Sequence, residues 1–559
     1  MIATEKGFPP NSYPIHGSDL LWKQELEVQK YVALHPEVLK STALRKTAWT
    51  FGPGYTKSWY ADSIHSDGST TRYLVPSTCK AVGTNCYIFV EDASWGTRVN
   101  QPAVDSIETY FDSKTPANPS KGIFATDTSA FGNPPDVDHD PRIIILLLNI
   151  KDGYSGSGGF VEGYFSSFNE VNPSTQGYNT SNFAEMFYID TNPLNLLTSG
   201  GLASGISTLA HEFQHMIHFI HDQQEITFVN EGCSVLAEVN CGFPIYNPVF
   251  YANEPNHYLL DWRSGDLTKV LNDYSRAARF FVYLRDQVGI GVFKKIVAST
   301  QHGTAGIDAG LQAYGSPLRF NGILQDWFIA NILDDRSVDS LYGYSYPNLP
   351  KPVEQIFFNP NVAPTTDTVK NYAVQYLAFK AGSQMHATFA SSNSALIIKA
   401  VEIGSSKRVL DVTRNVEFTE PLFGTTYNEI HFVVMDTDPN TQAIYSYTTS
   451  GIAVPETDVQ HVSIALPTSF MLKQNYPNPF NPSTNIEYSI PIKGVVKIQV
   501  FDILGHSVAT LVDKVQNAGV YHTTWTGKTS NGIAMSSGVY FYRLESGSVS
   551  KTERMLLLK

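Results

Sequence analysis

The chain has 559 residues, 42% hydrophobic and 16% charged, which is enough for about three or four domains with sizeable cores and excludes global disorder. A formal net charge of −13 excludes a nucleic-acid partner, which would need a basic surface. No apolar run reaches the roughly 18 residues of a membrane span, so no transmembrane segment is expected.

Along the chain, the first residues lack a basic start followed by an apolar run, so no signal peptide is visible. The stretch DLLWKQELEVQKYVAL predicts a helix within an N-terminal segment, residues 1–50. TRYLVP, CYIFVED and RIIILLLNI then read as strands. Residues 154–182, rich in Gly, Ser and Asn, read as a long surface loop, and FAEMFYID as a strand. Helices dominate from about 204 to 335, among them SRAARFFVYLRDQVG and RFNGILQDWFIANIL. Near 365 the texture changes to short strands, YAVQYLAF, HATFA, ALIIKAV and EIHFVVMD, spaced as in an all-β sandwich. A linker with little periodicity follows at 453–468, and a second β-rich block fills 469–559.

Four cysteines are spread thinly. Cys79 and Cys86 flank a turn-like KAVGTN, so the spacing allows either a hairpin-closing bridge or buried thiols. Cys233 and Cys241, on one continuous helix, would stand about 12 Å apart along its axis, too far to bridge.

The chemistry concentrates in TLAHEFQHMIHFIHD. His211 and His215 are a helical turn apart, separated by about 40° of rotation and about 6 Å of rise, so both imidazoles reach one zinc ion. Glu212, about 100° around the helix, flanks that metal without binding it and is placed to take a proton from its water. The pattern H-E-x-x-H has peptide hydrolysis as its signature reaction.

Two residues compete as third ligand. His221 completes the spacing of a metzincin site, but His218 stands where that pattern has a helix-breaking Gly, and after Met216 the next methionine is Met385. Glu231, in TFVNEGCSVLAE, gives the gluzincin arrangement of two His from one helix and a Glu from a second, and is preferred. His218 and Glu238 are candidates for supporting hydrogen bonds. Tyr274, at the start of a later helix, is the candidate donor to the oxyanion. Asp136, Asp138 and Asp140 alternate as in an oxygen-ligand calcium loop, although the twelve-residue EF-hand pattern is not met.

TLAHEFQHMIHF, with NEG downstream and PPDVDHDPRIIILLLNIKDGY and SNFAEMFYID upstream, resembles the hyicolysin-like neutral metallopeptidases over about residues 75–335. The resemblance implies a gluzincin-type catalytic domain whose cleft is lined by an edge strand, with FAEMFYID as the segment that pairs with substrate backbone. The departure is a Cys close to the site, in CSVLAE. LKQNYPNPFNPSTNIEYSIP through KIQVFDILGHSVATLV, GVYFYRLESG and SKTERMLLLK resembles the type A C-terminal sorting domain of type IX secretion. That resemblance implies an immunoglobulin-like sandwich that engages the export machinery.

The expected architecture is multidomain. An α+β gluzincin-type metallopeptidase domain, 51–362, precedes two all-β sandwich domains, 365–452 and the immunoglobulin-like 469–559. The expected protein is a secreted or cell-surface zinc endopeptidase acting on protein or peptide. The competing expectation is a surface adhesion or binding protein with a degenerate peptidase domain.

Overall fold

The structure, a computed structural model, describes residues 8–9, 12–39, 49–65, 67–245, 249–264, 266, 269–346, 349–453, 470–476, 478–481, 483–491, 494–503, 505–516, 519–529, 533–546 and 549–558. The expected linker at 453–468 lies, apart from its first residue, outside the described residues. The chain divides into two compact units, Met1–Ala453 and Val454–Lys559.

The first unit opens with strand β1 (Ser12–His16) and helix α1 (Ser18–Leu34). Strands β2 (Thr56–Ile64), β3 (Thr70–Val82) and β4 (Cys86–Glu91) follow, then helices α2 (Gln101–Asp112) and α3 (Ile123–Phe131). Strands β5 (Ile143–Leu148), β6 (Gly158–Phe165) and β7 (Met186–Asp190) complete a seven-stranded sheet of order β1-β6-β7-β5-β4-β3-β2. The sheet is mixed: β4, β5 and β7 run parallel to one another, while β6 is antiparallel to β7.

β5 is IIILLL without alternation because both faces of the sheet are covered. Ile143, Ile145 and Leu147 pack under the helices, and Ile144, Leu146 and Leu148 join a smaller core with Trp59 and Phe89. Each such side chain contributes roughly 1.5–3 kcal/mol by leaving water.

Two strand expectations change here. FAEMFYID is not an edge strand, because β7 lies between β5 and β6. Residues 154–182 are not simply a surface loop, because they contain β6, whose Phe160–Phe165 stretch is buried. One of the glycines that suggested a loop, Gly163, serves close packing instead. A Cβ on Gly163 would stand 2.6 Å from Thr208 Cγ2.

The helical part comprises α4 (Ser199–His221), α5 (Thr227–Cys241), α6 (Val249–Ala252), α7 (Val270–Val288), α8 (Phe293–Val297), α9 (Gly303–Tyr314) and α10 (Phe320–Leu333). Thr198 caps α4 by accepting from Gly201 N at 3.1 Å. Gly242, with φ +92°, ends α5 in the left-handed conformation. α4 is buried all round over Thr208–Phe219, packed between β6 and β7, α3 and α5.

All four cysteines are buried free thiols. The strand register puts Cys79 opposite Phe89 rather than Cys86, so the hairpin bridge is not formed. Cys233 and Cys241 sit on α5 and are unpaired, and burial pushes both thiols up.

The rest of this unit is β-structure that starts at Gln355, ahead of the change of texture near 365. It comprises β8 (Gln355–Phe357), β9 (Val362–Val369), β10 (Val374–Phe379), β11 (Ser383–Ala390), β12 (Leu396–Gly404), β13 (Lys407–Val412), β14 (Phe418–Glu420), β15 (Tyr427–Asp436) and β16 (Ala443–Ile452). They form sheets of order β13-β12-β15-β10-β8 and β14-β11-β16-β9. On β15, Ile430, Phe432 and Val434 face the core shared with β11 and β16, while Val433 and Met435 join the helical core. Tyr376 of β10 donates to Phe328 O of α10 at 3.0 Å.

The second unit holds β17 (Met471–Leu472), β18 (Thr484–Ile490), β19 (Gly494–Phe501), β20 (Ser507–Gln516), β21 (Gly519–Trp525), β22 (Gly538–Ser546) and β23 (Val549–Leu557). Its sheets, β17-β18-β21 and β20-β19-β22-β23, enclose a core including Ile486, Ile498, Trp525, Tyr542 and Met555.

Candidate active site

The site is built where α4 and α5 pack against the end of β6. His211 and His215 lie one turn apart on α4, and Glu231 lies in the first turns of α5. Glu231 Oε2 stands 3.2 Å from His211 Nε2 and 3.5 Å from His215 Nε2. All three residues are at most 5% exposed. They form a group whose ligand atoms lie within 4.8 Å of one another.

The far side of each imidazole is tied down. His211 Nδ1 donates to Glu238 Oε1 at 2.9 Å, and Ser207 Oγ donates to Glu238 Oε2 at 2.6 Å. His215 Nδ1 faces Asn230 Oδ1 at 3.0 Å and Ser234 Oγ at 3.1 Å. These contacts fix both rings with Nδ1 turned outward and Nε2 facing Glu231. His215 Nε2 is buried without a hydrogen-bond partner. Two imidazole nitrogens and one carboxylate converging on a buried point fit a divalent transition metal.

The electrostatics follow from this packing. Burial disfavours the charged imidazoles, but Glu231 and Glu238 outweigh it, raising His211 to about 10 and His215 above its usual value. Burial likewise opposes the Glu231 carboxylate, but the two imidazoles hold it well below the usual range. A metal cation at the same point would compete with these shared protons.

Glu212 is fully buried beside this group. Its Oε2 accepts from Phe165 N of β6 at 2.7 Å, and its Oε1 has no hydrogen-bond partner. Glu162, also on β6, is pushed up to about 7 by burial. Tyr274 is on α7, its ring 6.2 Å from that of His211. It lines a cavity of about 300 Å³ shared with Glu238, Val235, Phe243, Ile245 and Leu271.

Other candidates go elsewhere. α4 continues unbroken through His221, whose Nε2 faces Asn133 O at 3.1 Å, outside the His211 group. His218 faces Gln214 at 3.4 Å rather than supporting His211 or His215. Among the acidic residues, Asp136 and Asp138 group with Glu185, not with Asp140. Asp140 turns to Trp49 N and Tyr87 Oη, at 2.7 and 3.1 Å.

His16 was not foreseen. β1 runs parallel along β6, and its last residue stacks on His211 at 3.4 Å between centroids and 3° between planes. His16 Nδ1 is 3.6 Å from Glu212 Oε1. No local signal marks it, since its partners are almost two hundred residues away. Asn230 was also missed, although it sits in the NEG triplet.

The chain is 28% identical over 250 residues to the neutral metalloprotease ShpI of Staphylococcus hyicus, covering 40% of this chain and 55% of that protein. It thus spans about half the length of the curated relative it matches. Residues 474–558 match the family described as secretion system C-terminal sorting domain. Among solved structures, PorZ, a surface component of the type-IX secretion system of Porphyromonas gingivalis, is 15% identical, covering 20% of this chain and 14% of that one, with a TM-score of 0.13. The lysozyme inhibitor PliG of Salmonella Typhimurium is 17% identical, covering 16% of this chain and 87% of that one, with a TM-score of 0.14. Likenesses that small carry no argument. Among the described residues, no helix is long and apolar enough to cross a membrane. The chain is therefore a secreted or cell-surface protein with a type IX sorting domain at its C-terminus, and over 250 of its residues it is similar to a neutral metalloprotease of the hyicolysin kind.

Proposed function

We propose that this chain is a zinc-dependent endopeptidase of the gluzincin type, exported by its interaction with the type IX machinery. In this reading the catalytic domain, expected over residues 51–362, also takes in β1 and yields β8 to the accessory sandwich expected over 365–452, and 469–559 is an immunoglobulin-like sorting domain. The observation that carries it is the convergence of His211 Nε2, His215 Nε2 and a Glu231 oxygen beside a buried Glu212, one of whose oxygens has no hydrogen-bond partner.

His211, His215 and Glu231 would hold the ion. Bound zinc supplies a Lewis acid that polarises the scissile carbonyl and lowers the pKa of water. Glu212 Oε1 takes the proton of the attacking water and returns it to the leaving amine nitrogen. Glu212 Oε2 stays anchored on Phe165 N, which keeps Oε1 aimed at the reacting atoms. Tyr274 donates a hydrogen bond from its hydroxyl to the developing oxyanion. The cavity beside Tyr274 is mainly apolar in its lining and suits a hydrophobic substrate side chain. An extended substrate pairing with the β6 edge competes with β1, which already occupies it.

The test is Glu212→Gln. The variant should keep its zinc and lose about 10²–10⁴-fold in kcat on casein. Undiminished cleavage by it would sink the mechanism. A parent chain with neither zinc nor chelator-sensitive cleavage would favour the binding-protein alternative.

A further inference from the structure

The last turn of α4 and the loop into α5 assemble a second set of donors, separate from the His211 group. His218, Asp222 and Glu225 each offer a ligand atom, and the three atoms lie within 4.8 Å of one another. His218 is 1% exposed, Glu225 8%, and the Asp222 side chain 7%.

One atom of each residue is engaged by the protein and the other is not. Asp222 Oδ1 accepts from Gln224 N at 2.9 Å and faces His302 Nε2 at 3.2 Å. Glu225 Oε1 accepts from Ile226 N at 2.6 Å and from Gly303 N at 2.7 Å. His218 Nδ1 lies 3.4 Å from the Gln214 amide, whose oxygen accepts from Ser234 Oγ at 2.5 Å. The remaining atoms, His218 Nε2, Asp222 Oδ2 and Glu225 Oε2, are buried without hydrogen-bond partners. Buried polar atoms are rarely left unpaired, and two carboxylates rarely share a dry site without a cation between them.

We propose that His218 Nε2, Asp222 Oδ2 and Glu225 Oε2 form a second metal site that takes a divalent transition ion, zinc being the probe of choice. The imidazole nitrogen argues against calcium or magnesium, which take oxygen ligands. Donors around a zinc at about 2.1 Å stand about 3.4 Å apart, which the present spacing allows. The ion ties the end of α4 to the entry of α5, and through Glu225 and Gly303 to the start of α9. His218 is one turn beyond His215, so the site anchors the helix that presents His211 and His215. The role is structural.

Zinc content of the purified full chain tests the proposal. The chain is stripped with chelator, reloaded with zinc and counted by elemental analysis. The parent should hold about two ions, and Asp222→Asn/Glu225→Gln and His211→Ala/His215→Ala about one each. A carboxamide double variant holding as much zinc as the parent would overturn the second site. So would a His211→Ala/His215→Ala chain that binds none. If the carboxamide variant does not fold, the His211→Ala/His215→Ala chain decides alone: zinc should raise its Tm, and no rise overturns the proposal. A parent ion lost in the carboxamide variant but kept without His211 and His215 would sink the first site and keep the second.

Discussion

Asn230, Glu231 and Gly232 each have a separate reason to be what they are. Asn230 meets His215 Nδ1, and Glu231 meets both Nε2 atoms. Gly232 lets α5 close on α7: a Cβ there would stand 2.4 Å from the Phe281 ring. Gly232→Ala should therefore destabilise by about 1–3 kcal/mol and weaken zinc binding, read by thermal denaturation and metal titration. A parent-like Tm would show that the Phe281 ring yields. Glu238→Ala removes the acceptor that orients His211 and should cost about 10–100-fold in zinc affinity, while Glu238→Gln, which keeps an acceptor oxygen, should cost less. Equal losses in the two variants would contradict an orienting role. His16→Ala clears the ring that lies on His211 and should raise kcat/KM on extended peptides several-fold. A fall instead would make His16 part of the machinery.

At the scale of elements, the strands show how alternation is lost when a sheet is covered on both faces. β5, and β15 from Phe432 to Met435, read as continuous apolar runs because each serves two cores. β6 was hidden by its glycines, one of which makes room for Thr208. Within the sandwich, β15 carries a buried His431 held between Glu354 and Glu429, the latter at 2.8 Å. Burial opposes its charge, but the two carboxylates outweigh it and raise His431 above 6.5. Its stabilisation is then full below about 6.5 and fades as pH rises through the raised value. His431 also holds Glu429 down at about 2, a contribution present above about 4.5 and lost as pH falls toward 2. His431→Gln should thus cost about 1–3 kcal/mol between roughly pH 4.5 and 6.5 and progressively less above. A pH-independent loss in urea denaturation would refute this linkage.

For the whole molecule, the division after Ala453 has a physical basis. The cores below it draw on residues up to Tyr447, and the core above it on Leu472–Leu557. A chain ending at residue 453 should fold with a parent-like melting transition for its own cores and keep its cleavage rate within about twofold, yet remain unexported. Collapse of that truncated chain in calorimetry would show that the first unit depends on the second.

The HExxH geometry was legible because it is local: four residues on any helix bring two imidazoles to one side. The sorting domain was legible because its motifs run along nearly its whole length. Glu231 could be nominated from its triplet, and His221 set aside for want of a Gly, because helix continuity is also a local property. By contrast, β7 inside the sheet, β1 on the β6 edge, His16 on His211 and the Gly232–Phe281 contact depend on segments far apart in the chain. So does the second donor set, whose three residues look unremarkable until burial removes their water. Spacing along the chain determined which atoms share a helix face; only tertiary packing decided which of them are buried and aimed at one point.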